Sequence, residues 1–304
     1  MNLNQLNLFY HTARCKSPSA AAKALNVSQP AVTTGIRRLE DHYNVMLFQR
    51  EGKSMELTEA GAALYEMAGK LFEIERLAED CIRNFQIENE QSIQIHASET
   101  FGAYYLPDLI NRFKASYPHV NISVNIMLTD QVVANTIDIK NDVGFISYPI
   151  ENERLSIHEV MEDKLVLITS PDHPLAAKAR IEPADLERQV IIMHEKSSAI
   201  RKALLAFVEK GNIQIRTSIE YSNNEAIKRA VELKAGVALI SQLVADKEIN
   251  RGEFKAIPLS DYSVGRKFYV IHHKDKFIFK GLENFLDTMK DWKTEYQCDK
   301  DPAH

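Results

Sequence analysis

The chain's first chemical signature is a short run of side chains suited to reading nucleic acid. Gln29 carries a paired donor and acceptor that match an adenine edge. Thr33 and Thr34 offer a hydroxyl to phosphate and a methyl to thymine, and Arg37 offers a planar fork to guanine or phosphate. Ser28 has the residue type of a helix N-cap, and Pro30 would fall inside the first turn, where its missing N–H costs nothing. Val32, Ile36 and Leu39 then recur at steps of four and three, on a face separate from those polar groups. Catalytic patterns are absent from the sequence: it has no Gly-x-Ser-x-Gly elbow, Walker loop or GxGxxG. Enzyme chemistry and a bound cofactor are therefore not expected. His194 and the pair His272-His273 lack partners at metal-ligand spacing, and Cys15, Cys81 and Cys298 are too scattered for a metal or redox motif.

These side chains need an element to hold them. Leu3, Leu6, Tyr10 and Ala13 predict an opening amphipathic helix, and Ser19 to Leu25 a second, Ala-rich one that stops at Asn26-Val27-Ser28. Two helices joined by a tight turn, the later one polar outside, fit a helix-turn-helix whose second helix enters the major groove. An ordinary helical hairpin with a solvated face fits the same spacing. The continuation discriminates: Leu47-Phe48-Gln-Arg50, Glu51-Gly52-Lys53-Ser54 and Met55-Glu56-Leu57 read as strand, turn and strand. That is a wing, with Arg50 and Lys53 where it would meet the DNA backbone. Charge agrees, since residues 1–57 are net +3 in a chain whose net charge is −5.

From Ala21 to Glu40, through Ser28-Gln29-Pro30 and Thr33-Thr34, the sequence resembles the LysR family of transcriptional regulators nearly position by position. Leu47-Phe48-Gln-Arg50 and Leu57-Thr58-Glu59-Ala60-Gly61 continue the match. Gly35 departs from it, replacing a longer polar residue that could touch DNA. Downstream, Leu64, Met67, Leu71, Ile74, Ala78, Cys81 and Phe85 form an a/d seam in a Pro-free stretch. That stripe needs either a second copy of the chain or the chain's own C-terminal part; the resemblance implies dimerisation.

After the polar hinge Gln86–Gln91 the pattern changes to alternating strands and helices, which predicts parallel sheets covered by helices. Strands are expected at 93–97, 120–128, 143–146, 165–168, 190–193, 237–240 and 268–271. In such folds ligands bind at the carboxyl ends of strands. Ser98, Thr100, Thr129, Ser147, Ser197, Ser198, Arg201 and Asn223 fall at those junctions and are the candidate effector-binding residues. Each taken singly also fits a plain helix cap. Ala97-Ser-Glu-Thr100, Pro171-Asp-His-Pro174 and Asn224-Glu-Ala-Ile-Lys228 are similar to effector-domain landmarks of the branch that regulates carbon fixation and sulfur or cysteine metabolism.

The resemblance implies a multidomain chain. Residues 1–57 would be an all-α winged helix-turn-helix domain, and 58–91 a linker helix and hinge. An α/β effector domain of the type II periplasmic-binding-protein kind would follow, in subdomains 92–163 with 266–304, and 164–265. Two departures bear on the effector, for which an anionic metabolite is the starting candidate. Glu195-Lys-Ser-Ser-Ala-Ile-Arg201 lacks the glycines of the usual loop, and Lys234 replaces a common Gly. The expected partners are promoter DNA, a small-molecule effector, further copies of the chain as homodimer or homotetramer, and RNA polymerase. No stretch is long and apolar enough for a membrane and no signal peptide opens the chain, so a cytoplasmic protein is expected. A transporter's solute-binding protein would share the sensor fold but lack the DNA-reading domain. A ligand-free DNA-binding protein would have an empty, apolar crevice.

Overall fold

The computed structural model describes residues 2–51, 54–86, 92–261 and 265–300. It divides into two compact units, residues 1–82 and 83–304.

The first unit opens with α1 (Leu3–Cys15), α2 (Pro18–Ala24) and α3 (Gln29–Tyr43). Each start is capped by the side chain before it: Asn2 accepts from Asn4 N, Ser17 from Ala20 N and Ser28 from Ala31 N. The apolar stripes of the three helices meet in one core of Leu6, Phe9, Ala22, Val32, Ile36 and Leu39. Burying each large apolar side chain there contributes roughly 1.5–3 kcal/mol. Gly35 belongs to this core, because a Cβ on it would lie 2.4 Å from Leu8 Cδ1 of α1. Its small size therefore serves helix packing.

A hairpin of β1 (Phe48–Glu51) and β2 (Ser54–Leu57) follows, pairing Arg50 with Met55. It is the wing, tied to α3 through Glu40, whose Oε1 accepts from Leu47 N at 2.8 Å and Phe48 N at 3.3 Å. Lys53 and the hinge residues 87–91 lie outside the described residues. α4 (Glu59–Gln86) starts where Thr58 Oγ1 accepts from Gly61 N, and its Ala68 and Phe72 join the head's core. Gly61 admits no side chain, since a Cβ would meet Leu47 O at 2.0 Å.

The second unit holds β3 (Ser92–Ala97), α5 (Leu106–Ser116), β4 (Asn121–Ile126), α6 (Thr129–Ile137), β5 (Val143–Ile146), β6 (Leu155–Asp163) and β7 (Leu165–Thr169). It continues with β8 (Val190–His194), α7 (Ala199–Lys210), β9 (Arg216–Tyr221), α8 (Asn224–Glu232), β10 (Ala238–Ser241), α9 (Gln242–Asn250), β11 (Lys255–Ile257), β12 (Arg266–His273) and α10 (Lys280–Lys300). One lobe is a five-stranded sheet ordered β4-β3-β5-β12-β6. The other joins β10-β7-β11 to the β8-β9 pair through Val237, which bonds Val190 and Ile192 of β8. Alternate residues of β7 face opposite sides of this second sheet, Leu165 and Leu167 into one core and Val166 and Ile168 into another. Burial on both faces is why the strand reads as a continuous apolar run.

The sheets are mixed, not all parallel as the βα alternation predicts. β12 runs antiparallel to both β5 and β6, and β7 antiparallel to both its neighbours. The reason is topological: β6 leaves the first lobe at Asp163 and β12 re-enters it at Arg266, so the returning strand inserts between β5 and β6.

Candidate functional site

Two places in the molecule present side chains available to a ligand. The sequence candidates at the N-cap and along α3, Ser28, Gln29, Pro30, Thr33, Thr34 and Arg37, are all exposed, opposite buried Val32, Ile36 and Leu39. Thr33 Oγ1 donates to Gln29 O at 3.2 Å, which turns its methyl outward. Ser28 Oγ is occupied by the cap, whereas Gln29, Thr34 and Arg37 stand in solvent. Arg50 is placed on the wing by its backbone pairing.

The second place is a cleft of ≈ 330 Å³ between the lobes of the regulatory unit. Its wall includes Ser98, Thr100, Thr129, Ser147, Ser197, Ser198 and Asn223, so seven of the eight junction residues converge there. Most already have a partner. Thr129 and Ser147 share a hydrogen bond of 3.1 Å, Ser197 Oγ donates to Glu195 Oε1 at 2.7 Å, and Ser198 and Asn223 cap α7 and α8. Thr129 is the first residue of α6, not its cap; Leu128 stands in the cap position. Arg201 is corrected. It is absent from the cleft wall, because its guanidinium turns to His194 O at 3.1 Å and to the Glu220 carboxylate on β9.

Residues beyond the sequence candidates dominate the cleft's chemistry. Arg266 lies at the second crossover with its side chain 7% exposed, and its Nε donates to Asp163 Oδ2 at 2.7 Å at the first crossover. Asp163 Oδ1 also accepts from Tyr105 and Ser241, each at 2.7 Å, so one carboxylate ties both lobes together. Tyr105 and Tyr104 sit on a π-helical turn, Phe101–Tyr105, a geometry common at functional sites. Tyr104 OH donates to Glu225 Oε1 at 2.8 Å, and Asn224 N donates to Glu99 Oε1 at 3.0 Å. Three residues on the cleft wall each hold a buried polar atom with no hydrogen-bond partner among the described residues: Ser98 Oγ, Asn224 Oδ1 and Arg266 Nη2. A buried polar atom left alone costs about 1–3 kcal/mol, so three on one wall mark it as a place for a polar ligand or water.

Burial and the positive charge of Arg266 push His194 down to about 4, while its bond to Leu239 O pulls the other way. The imidazole is thus neutral, with Nε2 donating to Leu239 O at 3.1 Å. Burial raises the Glu99 carboxyl above its usual range, against the opposing pull of Asn224 N–H and Arg266. A larger hollow of ≈ 1310 Å³ adjoins the cleft around the crossovers, sharing Ser147 and Arg266 with it and lined also by Tyr148, Lys202, Gln242 and Lys267. Lys202 packs over the Tyr148 ring there and Lys267 pairs with Glu159, whereas the smaller cleft gathers seven of the eight junction residues and is the better ligand site.

Known proteins share this arrangement. A family model described as "Bacterial regulatory helix-turn-helix protein, lysR family" matches residues 3–62, and one described as "LysR substrate binding domain" matches residues 87–294. The "Probable RuBisCO transcriptional regulator" of Cyanidioschyzon merolae is 30% identical over 295 residues, 94% of this chain and 97% of that one. The crystal structure of full-length CbnR complexed with its target DNA covers 96% of this chain and 100% of its own, with TM-score 0.58 and 22% identity. The Synechocystis PCC6803 CcmR regulatory domain in complex with 2-PG covers 67% of this chain and 97% of its own, with TM-score 0.62 and 26% identity. With both family models matched in order along one chain, it belongs to the LysR family of transcriptional regulators.

Proposed function

We propose that this regulator reads promoter DNA through α3 and its wing, and that a small molecule seated between the lobes of residues 92–163 with 266–304 and of 164–265 changes how the DNA is held. The observation that carries the effector half is the convergence of Ser98 Oγ, Asn224 Oδ1 and Arg266 Nη2, buried and without partners, on one cleft. The DNA half is supported by the exposed polar face of α3, where Gln29 and Arg37 are the base readers, Thr33 and Thr34 flank them, and Ser28 and Pro30 set the helix start. Arg50 and Lys53 serve as wing contacts to the backbone. CbnR's structure with target DNA and CcmR's with 2-PG give precedent for each half.

The active form is a homodimer or homotetramer. Met67 and Ile74 on α4 are 60% and 67% exposed, and Leu71 and Ile82 are exposed beside them, an apolar stripe that a second α4 would cover. Two heads then meet two half-sites, and closure of the cleft alters their spacing and the DNA bend. Contact with RNA polymerase belongs to the same scheme, and promoter binding puts the protein in the cytoplasm. Among the described residues no helix is long and apolar enough to cross a membrane.

The test is footprinting on DNA flanking the protein's own gene, at several salt concentrations, with and without the small-molecule fraction of a cell extract. Site-specific, salt-sensitive binding that collapses in Gln29→Ala/Arg37→Ala supports the DNA reading. A footprint change caused by the extract in wild type and abolished by Ser98→Leu supports the cleft. An extract effect that survives Ser98→Leu places the effector elsewhere.

A further inference from the structure

The chemistry of the cleft narrows what occupies it, on the reading that the cleft is the effector site. Among the residues on its wall, two carboxylates, Glu99 and Glu195, have no ion-pair partner among the described residues. The guanidinium of Arg266 is the only full positive charge on the wall, and Asp163 already neutralises it. His194 is neutral. The cavity is therefore net acidic, and a multiply charged anion entering it would meet repulsion with no counter-charge to offset it.

Three of the amides at the helix starts on this wall are also occupied. At α8, Asn224 N is held by Glu99 Oε1 and Ala226 N by Asn223 Oδ1; at α7, Ile200 N is held by Ser198 Oγ. At the start of α8 the chain's own carboxylate thus takes an amide that a free anion would use. What the cavity leaves unsatisfied is mixed: a donor in Arg266 Nη2, an acceptor in Asn224 Oδ1, and a hydroxyl in Ser98 that can act either way. Arg266 has 7% of its side chain exposed, Asn224 is 1% exposed and Ser98 6%.

We propose that the effector is a small zwitterion of the α-amino acid kind, its ammonium group received by Glu99 and Asn224 Oδ1 and its carboxylate by Ser98 Oγ and Arg266 Nη2. An ammonium supplies the missing counter-charge to Glu99 and a donor to the empty acceptor. A carboxylate supplies the acceptor that Nη2 and the hydroxyl lack. The ≈ 330 Å³ available is at the small end of the usual range for ligand pockets, which suits a molecule of this size.

The experiment is titration calorimetry on the full-length protein with four sets of probes: the common α-amino acids, the 2-hydroxy acids and the amines derived from them, and inorganic phosphate and sulfate. At least one amino acid binds at millimolar concentration or below, and its hydroxy-acid and amine counterparts bind at least about tenfold more weakly. Glu99→Gln, which keeps the side chain's shape and its acceptor for Asn224 N, weakens that amino acid about tenfold or more, and Glu99→Asp restores part of the loss. Thermal melts of the ligand-free variants verify that they fold. Binding of phosphate, sulfate or a hydroxy acid that is lost in Ser98→Leu, with amino acids silent, would keep the cleft as the effector site and overturn the zwitterion. Amino-acid binding untouched by both Glu99→Gln and Ser98→Leu would remove the ligand from the cleft and overturn the effector-site reading with it. Silence from every amino acid overturns the inference, while the footprint comparison with extract decides the cleft separately.

Discussion

In the head, formed by α1 to α3 and the wing, the polar side chains of α3 stand in water and the helix beneath them is complete. Gln29, Thr34 and Arg37 are exposed, and every buried position of α3 is apolar or glycine. In the cleft, Ser98, Asn224 and Arg266 are buried, and the structure leaves an atom on each without a bond. The head is a surface that loses little when unoccupied. The cleft is an interior that carries an energetic cost until something fills it. The difference teaches where coupling can arise on the proposed reading: a partner on the head would change surface contacts, whereas a ligand in the cleft would act on the bonds of Asn224 to Glu99 and Thr100, which join the two lobes.

The largest effect is expected at the bridge. Asp163→Asn weakens a buried carboxylate that accepts from Tyr105, Ser241 and Arg266, and it strips the charge partner from a guanidinium that is itself buried. Breaking a buried pair of this kind costs about 3–5 kcal/mol, so a large fall in the melting temperature of the regulatory unit is expected. A fall of only a degree or two would mean the crossovers are held by something else, and that the cleft is not the stressed region described above.

Acid should act on the cleft through His194. His194 has a folded-state value near 4, below the 6.5 of an unfolded histidine. A lowered value contributes stability at pH above 6.5, and that contribution is lost as pH falls from 6.5 towards 4, amounting to up to about 3 kcal/mol. His194→Gln, which keeps an N–H for Leu239 O, should flatten this acid limb. Glu99 has the opposite sign, since its raised value favours the folded state below 4.5 and weakens it as pH climbs through the folded-state value. Chemical denaturation of wild type and His194→Gln across pH 4 to 8 separates the two, and parallel curves for the two proteins would refute the assignment.

The head makes the contrasting prediction. Gln29→Ala removes an exposed side chain, so stability should not change, while affinity for the specific site falls by about 1–3 kcal/mol and the preference at one base pair relaxes. Gel-shift titrations against the wild-type site and its single-base variants read both quantities. Equal losses on specific and random DNA would make Gln29 a backbone contact.

The two regions also differ in how far the sequence reveals them. The head is legible because its information is local: the 3.6-residue period of Val32, Ile36 and Leu39 and the Ser28 cap lie within one helix. The junction residues of the cleft are legible for a related reason, since a strand followed by a helix places its first polar residues at the sheet's end. Arg266 is not legible that way. Its meaning depends on Asp163, Tyr105 and Ser241, groups separated along the chain and joined only by the crossovers. Arg201 misleads for the complementary reason, because its partner Glu220 lies on a strand that adjoins β8 only through sheet pairing. The same blindness hides β6 and the antiparallel insertion of β12: strand direction is a property of distant partners, and β6 with its exposed His158 and Glu159 carries no continuous apolar run.

The smallest effect lies outside both regions and checks that the comparison is about the sites and not about the chain at large. Lys234 follows α8 with φ +61°, a left-handed conformation that a β-carbon disfavours and that helix ends usually give to glycine. Its one compensation is an exposed ion pair with Asp172, a kind of contact worth little in water. Lys234→Gly should therefore raise stability by roughly 0.5–1 kcal/mol, a shift of a few degrees in melting temperature, because strain relief outweighs the lost pair and the added chain entropy of glycine. DNA affinity and effector response should be unchanged, since Lys234 lines neither α3 nor the cleft. A variant less stable than wild type would show that the Asp172 pair outweighs the backbone strain. One with an altered effector response would show that the end of α8 takes part in the coupling, and would extend the sensitive region beyond the residues that face the cavity.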